Sequence, residues 1–110
     1  MAYDEKLAER IRALLGDRAG LTEQKMFGGL AFLIGGNMAI AASGEGGILV
    51  HVEPGEGERL IAGTAARAMV MRGKEMKGWL RVGTADLKTK RELAKWVGLG
   101  VGYARSLPPR

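Results

Sequence analysis

Apolar residues recur at helical spacing near both ends of the chain and at strand spacing between them. Leu7, Ile11, Leu14 and Leu15 fall at i, i+4, i+7 and i+8, which predicts a helix over Asp4–Leu15 with one apolar stripe. Asp4 caps it, Glu5 lies near its positive end, and Gly16 stops it. After a connector through Glu23, Gln24–Ile34 reads as a strand, with Gly28 and Gly29 as a bulge or a close backbone approach. Asn37–Ala42 is the return strand, Ser43–Gly47 a turn, and Ile48–Glu53 a third, β-branched strand. Glu56–Ile61 reads as a short helix and Ala68–Met71 as a strand. Arg72–Gly78 is a basic loop, and Trp79–Val82 a strand ended by Gly83. Thr89 and Glu92 form a capping box. The helix behind it carries Leu93, Trp96, Val97, Val101 and Ala104, and runs to about Ser106 before Pro108 and Pro109. This order predicts an α+β domain over residues 1–110. Its antiparallel sheet has about five strands, with N-terminal and C-terminal helices packed on it.

The stretch MFGGLAFLIGGNMAI, Met26 to Ile40, holds two glycine pairs and one polar side chain, Asn37. It does not match a P-loop, because no Gly-Lys-Ser/Thr follows and no helix starts there. It does not match the dinucleotide fingerprint either. A hairpin explains it. A two-residue turn at Gly35-Gly36 places Ile34 opposite Asn37 and Phe32 opposite Ala39. A three-residue loop, Gly35 to Asn37, pairs Ile34 with Met38 and Phe32 with Ile40. Turn chemistry favours the first register and coherence of the two faces the second; the first is preferred. Neither face of this hairpin is polar, so the sheet needs cover on both sides. The second cover must come from the remaining terminal helix or from another subunit, and a homodimer is expected.

Length and composition narrow the picture. A chain of 110 residues fits one domain. Cysteine is absent, which excludes disulfides, thiolate nucleophiles and cysteine–zinc sites and fits a reducing compartment. The charged N-terminus is not a signal peptide, and the longest apolar run, Leu30 to Ile34, is far short of the roughly 20 residues of a membrane helix. A cytoplasmic protein without a membrane partner is expected. The net charge of +5 is uneven: through Glu58 there are 5 basic and 9 acidic residues, and from Arg59 onward 12 basic and 3 acidic. A bipolar surface of this kind fits nucleic acid or an acidic partner, or head-to-tail self-association, or simply solvated cations.

Candidate chemistry is sparse. His51 is the single histidine, too few for zinc, and has no nucleophile in a hydrolase motif near it in sequence; it reads as a half-exposed strand residue beside Glu53. Glu53, Glu56 and Glu58 flank a turn. No catalytic residue, metal ligand or cofactor is assigned, and an enzyme is not expected. Arg72, Lys74, Lys77 and Arg81 surround Trp79, of which either it or Leu80 is core. A basic loop with an aromatic grips phosphates and stacks bases. Lys90, Arg91 and Lys95 extend this candidate surface for a protein partner or nucleic acid onto the last helix, where cations oppose the helix dipole. Gly98 and Gly102, four apart on one face, are candidate dimer contacts; a frayed or kinked helix end is the alternative.

The stretches KMFGGLAFLIGGNMAI (Lys25–Ile40), MKGW (Met76–Trp79) and WVGLGVGYARSLPPR (Trp96–Arg110) resemble the TfoX/Sxy N-terminal domain family, in order and over nearly the whole chain. The resemblance implies an antiparallel sheet flanked by helices, often as a stand-alone bacterial protein. In longer members this domain precedes a second one in regulators of competence genes for DNA uptake. The resemblance therefore implies a non-enzymatic regulatory or protein-interaction module, and carries over no catalytic residues. A nucleic-acid-binding domain using the basic second half is the alternative. A small-molecule enzyme is a further alternative with least support.

Overall fold

The structure is a computed structural model that describes residues 3–26 and 28–109. The elements in order are α1 (Glu5–Leu15), β1 (Leu21–Met26), β2 (Gly29–Ile34), β3 (Asn37–Ala42), β4 (Ile48–His51), α2 (Pro54–Gly63), β5 (Arg67–Met71), β6 (Lys74–Val82) and α3 (Lys90–Ser106), with one 3-10 turn at Thr84–Asp86. The six strands form one antiparallel sheet in the order β1-β2-β3-β4-β6-β5. The α+β class stands, with six strands where the pattern predicts about five. No helix is long and apolar enough to cross a membrane among the described residues.

Both terminal helices form as their caps predict. The Asp4 carboxylate accepts from the Lys6 and Leu7 amides at the start of α1. Thr89 and Glu92 complete the capping box of α3. α3 runs as one helix through its three glycines to Ser106.

Three expected boundaries differ. The single strand predicted over Gln24–Ile34 is two strands: β1 starts at Leu21, inside the expected connector, and the chain reverses between Met26 and Gly29. Phe27, within that predicted strand, lies outside the described residues. β1 lies at the sheet edge and is mostly exposed, so its polar sequence carries no alternation to betray it. The expected loop Arg72–Gly78 is mostly strand. Arg72 and Gly73, at φ 55° and 77°, make a two-residue turn, and β6 begins at Lys74. The third predicted strand stops at His51, because Glu53 turns to cap α2, accepting from the Gly55 and Glu56 amides at 3.0 Å each.

The hairpin β2–β3 uses both anticipated registers. Gly35 and Gly36 have φ of 59° and 83°, as a primed turn requires, and Ile34 pairs with Asn37 and Leu33 with Met38. The register then shifts: Ala39 is passed over, and Phe32 pairs with Ile40. The turn sets the first register, and a bulge at Ala39 restores the second, so that Phe32 and Ile40 share the helix-covered side.

That side holds the main core. Leu7, Ile11 and Leu15 of α1, and Leu93, Trp96, Val97 and Val101 of α3, pack on Phe32, Ile40, Ile48, Val50, Leu80 and Val82. Burial of each large side chain contributes roughly 1.5–3 kcal/mol. α1 and α3 contact each other and lie on the same face, so the two terminal helices do not sandwich the sheet. The opposite face carries a second, smaller apolar cluster: Ala31, Leu33, Met38, Ala41, Leu49 and Met69, all buried within one chain. Met26, Met71, Met76 and Trp79 pack against it. Among the described residues, part of the second cover therefore comes from long side chains of the sheet itself.

Candidate functional site

The basic residues singled out by sequence fall on two elements. Arg72, Lys74, Lys77, Trp79 and Arg81 belong to the β5–β6 hairpin, whereas Lys90, Arg91 and Lys95 lie in the first two turns of α3.

The hairpin is bent. Met71 pairs with Lys74, Val70 with Glu75 and Met69 with Met76, after which β6 spends Lys77, Gly78 and Trp79 before Leu80 meets Ala68 and Arg81 meets Arg67. Gly78 makes this possible. Its φ is +81°, its carbonyl accepts from the Val52 amide at 2.7 Å, and a Cβ there would lie 2.6 Å from the Val52 carbonyl oxygen. The bend sets Trp79 across from His51, with rings stacked at 3.9 Å and 12°, while Tyr103 of α3 meets the imidazole edge-on at 5.0 Å. His51 thus packs among aromatic rings, and the Glu53 carboxylate caps α2. Leu80 is the core member of the Trp79–Leu80 pair and Trp79 is half-buried.

Strand alternation puts Arg67, Met69 and Met71 of β5 on the same side as Lys74, Met76, Trp79 and Arg81 of β6, away from α1 and α3. Met69, Met71, Met76 and Trp79 line a small apolar cavity of about 130 Å3. Arg67 and Arg81 stand directly opposite each other, an unfavourable pairing of like charges. Arg81 is satisfied by Ser43 Oγ at 3.0 Å and Glu45 at 3.4 Å. Arg67 is exposed and makes no ion pair with a described carboxylate. The sequence reading missed Arg67. It is a lone cation among alanines, and only the strand register reveals its position.

At the other group, Lys90 and Arg91 are exposed, and the Lys95 ammonium lies 5.1 Å from the centre of the Trp96 ring. Lys90 shares a cleft of about 470 Å3 with Arg10, Ala13, Leu14 and Leu93. Arg10 was not anticipated. Its guanidinium donates to the Leu87 carbonyl at 2.7 Å and, more weakly, to those of Lys88 and Thr89, which ties α1 to the start of α3.

Gly98 and Gly102 are exposed, with nothing within 4 Å of a Cβ built on either. Gly100, between them, is the glycine that admits close approach inside the chain. A Cβ there would lie 2.2 Å from the Ala39 carbonyl oxygen, so α3 is seated on the bulge of β3.

Titration behaviour follows structural contacts. The hydrogen bond to Glu23, with added attraction from Glu23 and Glu9, raises Arg12, and the same bond from Arg12 holds Glu23 below the usual carboxylate range. The Gly55 and Glu56 amides lower Glu53. Among the described residues no three His, Asp or Glu side chains gather into a metal-binding group.

No curated protein and no solved structure matches the chain. The family model of the TfoX N-terminal domain matches residues 13–104, which include every strand, α2 and nearly all of α3. That span also contains the Gly35-Gly36 hairpin, the bent β5–β6 hairpin and the glycine-bearing helix seated on Ala39, and the chain belongs to the TfoX N-terminal domain family.

Proposed function

We propose that the protein is a non-enzymatic regulatory module that works by protein interaction, in the manner of competence regulators, and that it acts as a homodimer. Family membership supports the regulatory part. The observation that carries the dimer is the exposed strip of α3 at Gly98 and Gly102. Each glycine costs roughly 1 kcal/mol against alanine in a helix. Neither has positive φ, and neither is crowded by its own chain. A second backbone lying along this strip gives both glycines a purpose, because no Cβ would hold the helices apart.

The test is a pair of alanine substitutions, Gly98→Ala with Gly102→Ala, read by sedimentation and by thermal unfolding. The native protein is expected to sediment as a dimer. The doubly substituted protein is expected to shift towards monomer while the monomer fold becomes more stable by about 1–2 kcal/mol. A native protein that stays monomeric at every concentration defeats the dimer reading.

Nucleic-acid binding is the second reading, favoured by the exposed Lys90 and Arg91 at an end of α3 where cations are electrostatically out of place. It requires an affinity for duplex DNA that falls steeply with salt.

A further inference from the structure

We propose that the outer side of the β5–β6 hairpin is a docking socket for an acidic amphipathic segment of another protein, one apolar side chain of which enters the cavity between Met69, Met71, Met76 and Trp79. The proposal deepens the interaction-module reading by naming a surface and a partner chemistry. It does not depend on dimerisation.

Three observations carry it. The cavity, about 130 Å3, is close to the roughly 150 Å3 at which an apolar protein cavity accepts a benzene ring, so a single phenylalanine or leucine side chain is the right size. Its walls are three methionines and the indole of Trp79. Unbranched thioether side chains repack around a guest at low cost, and they favour contact with an aromatic ring. The third observation is the charge around it. Arg67 faces Arg81 across the strands, Lys74 adjoins Met71, and only Arg81 has a carboxylate partner among the described residues. A glutamate or aspartate flanking the anchor would relieve the Arg67–Arg81 repulsion, which the chain itself leaves half-compensated. A protein segment fits better than a nucleic acid. One face of Trp79 is already stacked on His51, and the space beside the indole is walled by methionines, which suit an apolar side chain better than a nucleobase with its phosphate.

The experiment uses the full chain labelled with carbon-13 at the methionine methyl groups. It is titrated with a synthetic helical peptide that carries leucine and phenylalanine on one face and glutamate on the other. A charge-reversed peptide with lysine for glutamate and a single-stranded oligonucleotide are titrated in parallel. The methyl signals of Met69, Met71 and Met76 are expected to move and saturate with the acidic peptide alone. Arg67→Glu is expected to weaken binding about tenfold, and Met71→Glu to abolish it. Val70→Ser, at an exposed position on the opposite side of the same strand, is expected to bind like the native chain and shows that the hairpin tolerates substitution. Absence of saturable shifts with the acidic peptide overturns the proposal. So do equal shifts with the charge-reversed peptide, or shifts with the oligonucleotide alone. Shifts that follow protein concentration without any peptide assign the socket to a second copy of the chain and overturn it as well. A monomeric protein that passes this titration would refute the dimer and leave the socket standing.

Discussion

At the residue scale, α3 contains three glycines that look equivalent in sequence and are not. Gly100 rests on the Ala39 carbonyl, and Gly98 and Gly102 face outward. Alanine at Gly100 would gain about 1 kcal/mol in helix propensity. It would also drive a methyl into backbone at 2.2 Å, which neither a helix nor a paired strand yields easily. Overpacking of this kind costs about 1–3 kcal/mol or more. Gly100→Ala is therefore expected to lower the urea midpoint, the opposite of Gly98→Ala in the monomer. Equal effects of the two substitutions would show that α3 does not sit on the bulge. The period of the glycines was legible in the sequence. Their inequality was not, because it depends on one extra residue in a strand about sixty positions earlier.

At the element scale, α1 is fastened to β1 by Arg12, which forks onto Glu23 at 2.7 and 2.9 Å, also pairs with Glu9, and lies over the Phe32 ring. The bond holds the Glu23 carboxyl below its ordinary value of 4.5. A lowered carboxylate contributes stability that is complete above its unfolded pKa and is lost as pH falls through the folded one. Acidification below about pH 4.5 should thus loosen the fold, and Glu23→Gln should flatten that part of the profile. The pair is half-exposed, so the variant is expected to lose only about 0.5–1 kcal/mol at neutral pH. Glu53 at the start of α2 is lowered too and leaves a residual slope in the variant. Urea midpoints measured across pH 3–7 check this, and identical slopes in the two proteins would contradict it. The capping box and the two apolar helical stripes made α1 and α3 readable in advance. β1 and the first half of β6 were hidden because both stretches are mostly exposed and rich in charged side chains, so little alternation of apolar and polar residues marks them.

At the scale of the whole molecule, the two apolar clusters share the strands β2, β3, β4 and β6, so neither can melt alone. Trp96 reports the helix side and Trp79 the other. In a Trp96→Phe chain, the fluorescence of Trp79 is expected to change at the same urea concentration as the far-ultraviolet circular dichroism. Separate midpoints would show that the methionine-lined side unfolds on its own. Sequence pattern revealed that both faces of the sheet are apolar. It could not reveal which face the helices take, because alternation carries that information only when one face is polar. The sheet order has one more consequence. β1 and β5 lie at its two open margins, each with one side that pairs with no other strand among the described residues. Glu23 and Lys25 guard one margin and Arg67 and Arg72 the other, as charged gatekeepers against ribbon-to-ribbon stacking. Removing these charges is expected to let identical chains join margin to margin into open-ended fibres, so a few side chains at the ends of the sheet set a limit on self-assembly.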